Sequence, residues 1–136
     1  MLRQLDALNG VILSYEQVPL ATEHILHGGM YIRTIRLQPE TKMMGSLILK
    51  PTILIVHGAT SVLIGDERVE LDGYNVIPGC AGRKQFFWTH SEVEMTMICK
   101  TDAKTVEDAE NEIFAEADQL MSRRNGDGDI IVVTGE

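Results

Sequence analysis

At 136 residues, 44% hydrophobic and only 5% aromatic, the chain has the size of one domain with an aliphatic, methionine-rich interior, and no second domain fits within it. Its formal net charge of −8 argues against direct binding of long nucleic acid, because that affinity comes from neutralising phosphates. No apolar run reaches the length of a membrane span, and Met1-Leu2-Arg3-Gln4-Leu5-Asp6 lacks a signal peptide's apolar core, so a cytoplasmic protein with no membrane partner is expected.

Residues 1–27 read as a lead-in: Leu2, Leu5 and Leu8 mark a helical turn, Gly10 breaks it, and Val11-Ile12-Leu13-Ser14-Tyr15 is β-prone. Residues 28–101 hold short β-rich stretches. Turn chemistry separates them at Pro39-Glu40, Pro51, His57-Gly58, Gly65-Asp66, Asp72-Gly73 and Pro78-Gly79-Cys80-Ala81-Gly82. Turns at such short intervals predict an all-β sandwich or barrel. In the strand Met30 to Leu37, Arg33 and Arg36 fall on opposite faces, so one arginine points inward, as a ligand clamp or as the partner of a buried carboxylate. Met43 to Lys50 and Thr52 to His57 are nearly continuous apolar strands that call for cover on both faces. The chain's own helix supplies one cover and a second subunit the other, which predicts a homo-oligomer, a dimer or higher. Thr60 to Ile64 and Arg68 to Leu71 flank a hairpin turn, and Tyr74 to Ile77, Arg83 to His90 and Glu92 to Ile98 complete the strands.

Residues 102–125 carry a helix predicted over Val106 to Arg124. Thr105 is its N-cap, Glu107 and Asp108 suit the positive end of the dipole, Arg123 and Arg124 the negative end, and Gly126 stops it. Val106, Ala109, Ile113, Ala117, Leu120 and Met121 form its apolar stripe, and Glu110, Glu112, Glu116 and Asp118 read as a solvated face. Residues 126–136 are a flexible hinge and a β-prone tail, Ile130 to Thr134, expected to pair with a sheet edge of the same or an adjoining subunit.

Chemistry-bearing residues are sparse. Cys80 and Cys99 read as free thiols, and His24, His27, His57 and His90 as surface or hydrogen-bonded side chains rather than a metal set. There is no phosphate loop, nucleophile elbow or zinc-type cysteine pair. Acidic residues crowd the C-terminal third, while Arg33, Arg36, Lys42, Lys50, Arg68, Arg83 and Lys84 lie in the β region, so a local basic pocket is compatible with the acidic whole.

The run Gly58-Ala59-Thr60-Ser61-Val62-Leu63-Ile64-Gly65-Asp66-Glu67-Arg68-Val69-Glu70-Leu71-Asp72-Gly73, followed by Val76-Ile77-Pro78, resembles the middle of a cupin domain. The resemblance implies a cupin-like β-barrel (double-stranded β-helix, or jelly roll) with one C-terminal helix, and an internal binding site. The family's metal motifs fail on it. Gly58 matches the closing glycine of the first motif, which puts Pro51 at the glutamate, Pro39 at the opening glycine, and Gly45 with Leu47, or Met44 with Ser46, at the histidines. In the second motif Pro78 matches, but Gly73 is one residue too close, Cys80 takes the second glycine and Arg83 takes the histidine. A guanidinium has no lone pair for a metal, so no metal or other cofactor is expected.

The runs His27-Gly28-Gly29-Met30-Tyr31-Ile32-Arg33-Thr34-Ile35, Ala81-Gly82-Arg83-Lys84-Gln85 and Glu94-Met95-Thr96-Met97-Ile98, with a helix ending Ser122-Arg123-Arg124, resemble the small cupin-like proteins of bacteriophage and prophage genomes. The resemblance implies a host-cytoplasmic or virion location. By the cupin resemblance Arg83 replaces a residue that would face the barrel mouth, where a fixed cation suits a carboxylate or phosphate, with Arg33, Lys50, Tyr31 and Trp88 as further candidates for the same cavity. The structural alternative pairs Arg83 with an acidic side chain, leaves Lys84 solvated and puts Trp88 in the core or an interface. The leading function is a non-catalytic, homo-oligomeric binding module that sequesters a small anionic ligand such as a nucleotide signal. A structural virion or assembly protein and a metal-independent isomerase or epimerase are the alternatives.

Overall fold

Alternating burial sorts the β region into two stacked sheets. In a computed structural model describing residues 21–64, 66–120 and 130–134, the strands are β1 (Thr22–His27), β2 (Met30–Leu37), β3 (Lys42–Met44), β4 (Thr52–His57), β5 (Thr60–Ile64), β6 (Glu67–Leu71), β7 (Tyr74–Gly79), β8 (Gln85–Thr89), β9 (Val93–Lys100) and β10 (Ile130–Val133). A helix, α1 (Val106–Ile113), follows β9. One sheet has six strands in the order β10-β1-β2-β9-β4-β7, the other four in the order β3-β8-β5-β6. Every second side chain of the larger sheet faces inward: Tyr31 and Leu37 from β2, Leu54 and Val56 from β4, and Val93, Met95, Met97 and Cys99 from β9. Val62 of β5 and Phe87 of β8, paired across the smaller sheet, join the same core.

Local chemistry sets the connections. Gly28 and Gly29, at φ 59° and 75°, make the two-residue turn that lets His27 pair with Met30, a conformation that side chains with a Cβ resist. The predicted hairpin closes on Ile64 paired with Glu67. Thr105 caps α1 by accepting from the Asp108 backbone N–H at 3.1 Å.

The helix is shorter than the sequence predicts. It ends at Ile113 because Phe114 turns extended, at φ −109° and ψ 132°, and bridges to Ile48. Leu49 N–H donates to Ile113 O at 2.7 Å and Ala115 N–H to Leu47 O at 3.0 Å, so strand-type bonds replace the next helical turn. Ala117 and Leu120 are buried beyond this end, continuing the predicted stripe across a 3₁₀ turn, Ala117–Gln119. The strand predicted over Met43 to Lys50 is likewise cut to β3 plus an irregular segment whose Ile48 bridges both Arg83 and Phe114.

β1, within the predicted lead-in, is an integral strand of the larger sheet. Leu2, Leu5, Leu8, residues 11–15, Met121, Arg123, Arg124 and the hinge at 125–129 lie outside the described residues. The tail strand β10 pairs in parallel with β1, from Glu23↔Ile130 to Leu26↔Val133, and Thr134 N–H donates to Leu26 O at 3.0 Å.

β4 is covered on one face only. Leu54 and Val56 face the core, whereas Ile53 is 39% exposed on the outer face. There the register aligns Val132, Ile25, Ile32, Ile98, Ile53 and Pro78 in one apolar row across all six strands. Among the described residues no helix is long and apolar enough to cross a membrane.

Candidate anion site

Tyr31 and Arg33 face inward from β2, Arg83 reaches Thr52 at the start of β4, and Lys50, just before β4, pairs with Glu112 of α1. Arg83 enters from the segment before β8 and is half-buried. Its Nη1 donates to the carbonyl of Cys80 at 2.8 Å and its Nη2 to the hydroxyl of Thr52. The guanidinium lies against Gly79, where a Cβ would stand 2.2 Å from Arg83 Cζ. Gly79 and Thr52 pair across β7 and β4, so both present the same inner face. Burial pushes the Arg83 pKa down from its ordinary value, yet a guanidinium stays protonated at neutral pH. Among the described residues no carboxylate pairs with it.

Two buried side-chain polar atoms have no hydrogen-bond partner among the described residues, Arg83 Nε and Ser46 Oγ. They belong to segments that pair with each other: Gly45 N–H donates to Gln85 O at 2.8 Å, Ile48 N–H to Arg83 O at 2.9 Å, and Gly82 N–H to Ile48 O at 2.7 Å. A buried polar atom without a protein partner calls for a water, an ion or a ligand.

Arg33 is the inward arginine of β2, and its partner is a buried carboxylate. Nη1 donates to Glu110 Oε2 at 2.7 Å and to Tyr31 Oη at 3.2 Å, and the guanidinium lies 5.3 Å from the centre of the Phe114 ring. Tyr31 Oη is in turn 2.7 Å from His24 Nδ1. The Arg33 and Glu110 side chains are 10% and 3% exposed, so Glu110 does not belong to the solvated face predicted for it. Arg36, the outward arginine, pairs at 2.9 Å with both Glu23 and Glu94.

Lys50 donates to the carbonyl of Lys100 at 2.7 Å and to Glu112 Oε1, while Thr101 Oγ1 donates to Glu112 Oε2 at 2.9 Å. The hydrogen bond from Lys50, then that from Thr101, holds the Glu112 carboxyl below its ordinary pKa, and the same bond raises that of Lys50. Cys99 is buried, with Sγ 3.5 Å from the carbonyl of Pro51. Burial pushes its thiol pKa up, opposed by the positive fields of Lys50 and Arg83, which both reach it.

Trp88 is not with this group. It alternates with buried Phe87 and so faces out of the smaller sheet, with Lys42 Nζ 5.0 Å and the His90 ring 5.2 Å away. Beside it Ser61 Oγ donates to Glu70 Oε2 at 2.7 Å, and its only proton thus used, it accepts from His90 Nε2 at 2.7 Å. Lys84, expected in solvent if Arg83 were ion-paired, is 6% exposed. Sequence reasoning missed Thr52, Gly79, Glu110 and Glu112; the one available signal was that Glu110 and Glu112 adjoin the stripe residues Ala109 and Ile113.

The residues present do not fit a divalent metal. Arg83 brings a positive charge to the place a ligand would take, Gly45, Leu47 and Pro51 have no donor side chain, and His24, His27, His57 and His90 contact Tyr31, Thr134, Tyr74 and Ser61 respectively. Among the described residues no three His, Cys, Asp or Glu side chains group as metal ligands.

This two-sheet barrel has known counterparts. A cupin superfamily protein from Desulfitobacterium hafniense superposes with a TM-score of 0.52 at 12% identity, over 65% of this chain and 83% of that one. A cupin-2 domain from Rhodospirillum rubrum gives 0.53 at 9% identity, over 67% and 69%. An RmlC-like cupin family protein with a double-stranded β-helix fold, from Methanocaldococcus jannaschii, gives 0.50 at 13% identity, over 64% and 85%. At such identities the fold is what is shared: the chain has the cupin-type double-stranded β-helix that the sequence implied. No protein-family profile and no curated protein matches it.

Proposed function

We propose that the chain is a metal-free, non-catalytic cupin of the kind encoded in phage genomes, acting in the host cytoplasm as a homo-oligomer that holds a small anionic ligand at Arg83. The observation that carries this reading is the half-buried Arg83 guanidinium, held by Thr52 and the Cys80 carbonyl without a carboxylate among the described residues. A cation partly removed from water binds an anion more strongly than the same charge on an open surface. The orphaned Arg83 Nε and Ser46 Oγ supply a donor and a second polar group on two segments that pair through their backbones. A nucleotide signal is one ligand of this class. Native mass spectrometry of protein purified from its producing cells tests the reading: a co-purifying small anion supports it, and a mass equal to the bare chain at every charge state counts against it.

A second reading, a structural virion or assembly component, draws on the exposed apolar row and on β10, whose Ile130, Ile131, Val132 and Val133 are each about half exposed. Incorporation into particles would favour it. The isomerase reading gains a histidine and tyrosine in contact, but His24 and Tyr31 are 2% and 0% exposed, closed to any substrate.

A further inference from the structure

Where the β1–β2 turn meets the chain leaving β9 and the end of the tail strand, the described residues line a partly open cavity of about 160 Å³. Leu26, Met30 and Val133 give it an apolar side, and Asp102 and Lys104 bring one charge of each sign to its lining. Neither of these two forms an ion pair among the described residues. The field of Asp102 also reaches Lys50, whose charge Glu112 already balances. The segment that carries both is pinned by Thr101, another lining residue. Thr101 N–H donates to Gly29 O at 3.0 Å, and its Oγ1 donates to Glu112 Oε2 at 2.9 Å while accepting from Ala103 N–H at 3.0 Å. Arg83 and Ser46 are not among the lining residues, so this cavity is separate from the anion site.

We infer that this cavity binds a small zwitterion of the amino-acid class, with Asp102 taking the ammonium, Lys104 the carboxylate, and the apolar side an aliphatic side chain. An ion of one sign would meet its counter-charge beside a like charge two positions along the chain, whereas a zwitterion answers both. The volume equals that of about five waters at ~30 Å³ each, room for an aliphatic amino acid and too little for a nucleotide. The tail strand closes the site. Val133 and Thr134 form part of the wall, and Thr134 is held there by its N–H donating to Leu26 O at 3.0 Å and by its Oγ1, 2.7 Å from His27 Nδ1. A ligand that binds only with this wall in place stabilises the docked tail by its own binding free energy.

The probes are L-leucine, isocaproate, which is leucine without its ammonium, and isoamylamine, which is leucine without its carboxylate. In a heteronuclear NMR titration of the full chain, leucine is expected to shift the amides of Gly29, Asp102, Ala103 and Thr134 in one saturable process and to slow hydrogen exchange at Thr134. Isocaproate and isoamylamine should each bind about fivefold more weakly, the upper end for one exposed ion pair. Asp102→Asn and Lys104→Gln, both at exposed positions, should each weaken leucine by about the same factor. Asp102→Asn should leave isocaproate no weaker, and Lys104→Gln should leave isoamylamine no weaker, which separates loss of a charge contact from loss of the fold. No saturable shift with leucine, alanine, valine or methionine overturns the site. Either single-charge analogue binding as tightly as leucine, or leucine affinity indifferent to both substitutions, overturns the zwitterion assignment. Each of these results is independent of Arg83.

Discussion

Arg83 lies in the space that the missing side chain of Gly79 leaves open: a Cβ on Gly79 would stand 2.2 Å from Arg83 Cζ and 2.3 Å from Nη1. The glycine is thus part of the arginine's seat. Gly79→Ala must push the guanidinium away from the Thr52 hydroxyl, and because only the far end of a long side chain has to move, the loss of stability should be small while anion affinity falls. Urea denaturation beside calorimetric titration separates the two effects. Unchanged affinity would mean that Arg83 binds equally well from another position.

The Arg33–Glu110 pair ties the larger sheet to α1 from inside, with both side chains nearly sealed from water. Removing one partner strips a buried charge of its counter-charge in this pair, so Arg33→Ala or Glu110→Ala should each lose about 3–5 kcal/mol. Replacing both by apolar residues of similar size, Arg33→Met with Glu110→Leu, should recover most of it. A double-mutant cycle in urea measures the coupling; additive losses would show that the two side chains stabilise the fold independently.

The Lys50–Glu112 contact makes helix docking pH-dependent at both ends of the scale. Glu112 is depressed in the fold, so its contribution to stability is present above the unfolded carboxylate value and is lost as pH falls through the lower folded value. Lys50 is raised, so its contribution is complete below the unfolded lysine value of about 10.4 and is lost as pH climbs through the higher folded value. The melting-temperature gap between wild type and Glu112→Gln should be widest near neutrality and close towards both extremes. A gap constant from about pH 3 to pH 11 would show that the pair does not couple to folding.

The outer face of the six-stranded sheet predicts self-association. Its apolar row, Val132, Ile25, Ile32, Ile98, Ile53 and Pro78, is flanked by Ile55 and Val76, while Arg36 is internally paired with Glu23 and Glu94. Six strands about 4.8 Å apart make a face about 24 Å wide, of the order needed for the roughly 800 Å² per partner of a stable interface. Light scattering should report a dimer or higher oligomer, and Ile98→Glu, at the centre of the row, should convert it to monomer. A wild-type monomer at micromolar concentration would show that the chain covers this face by itself.

The parts legible in the sequence were those fixed by short-range rules. Turn residues located the strands, alternation put Arg33 and Arg36 on opposite faces, and the Thr105 cap began the helix where the structure begins it. What was hidden depends on residues far apart in the chain. Glu110 looked like one more acidic residue on a solvated face because its partner, Arg33, is 77 positions away. The helix stops early because Leu47 and Leu49 offer strand bonds that no local propensity reveals. Trp88 looked like a cavity wall from its distance to Arg83 in sequence, but strand alternation carries it to the other side of the sheet.

The central claim is that Arg83 is the anion-binding group, and titration of Arg83→Ala against wild type tests it most directly. With benzoate or dimethyl phosphate, whichever wild type binds more tightly, Arg83→Ala should lose about 1.5–3 kcal/mol, the range of a charge-assisted hydrogen bond, with its melting transition still cooperative. Arg83→Lys should restore only part, since an ammonium lacks the planar two-pronged geometry. Equal affinity in wild type and Arg83→Ala would contradict the account.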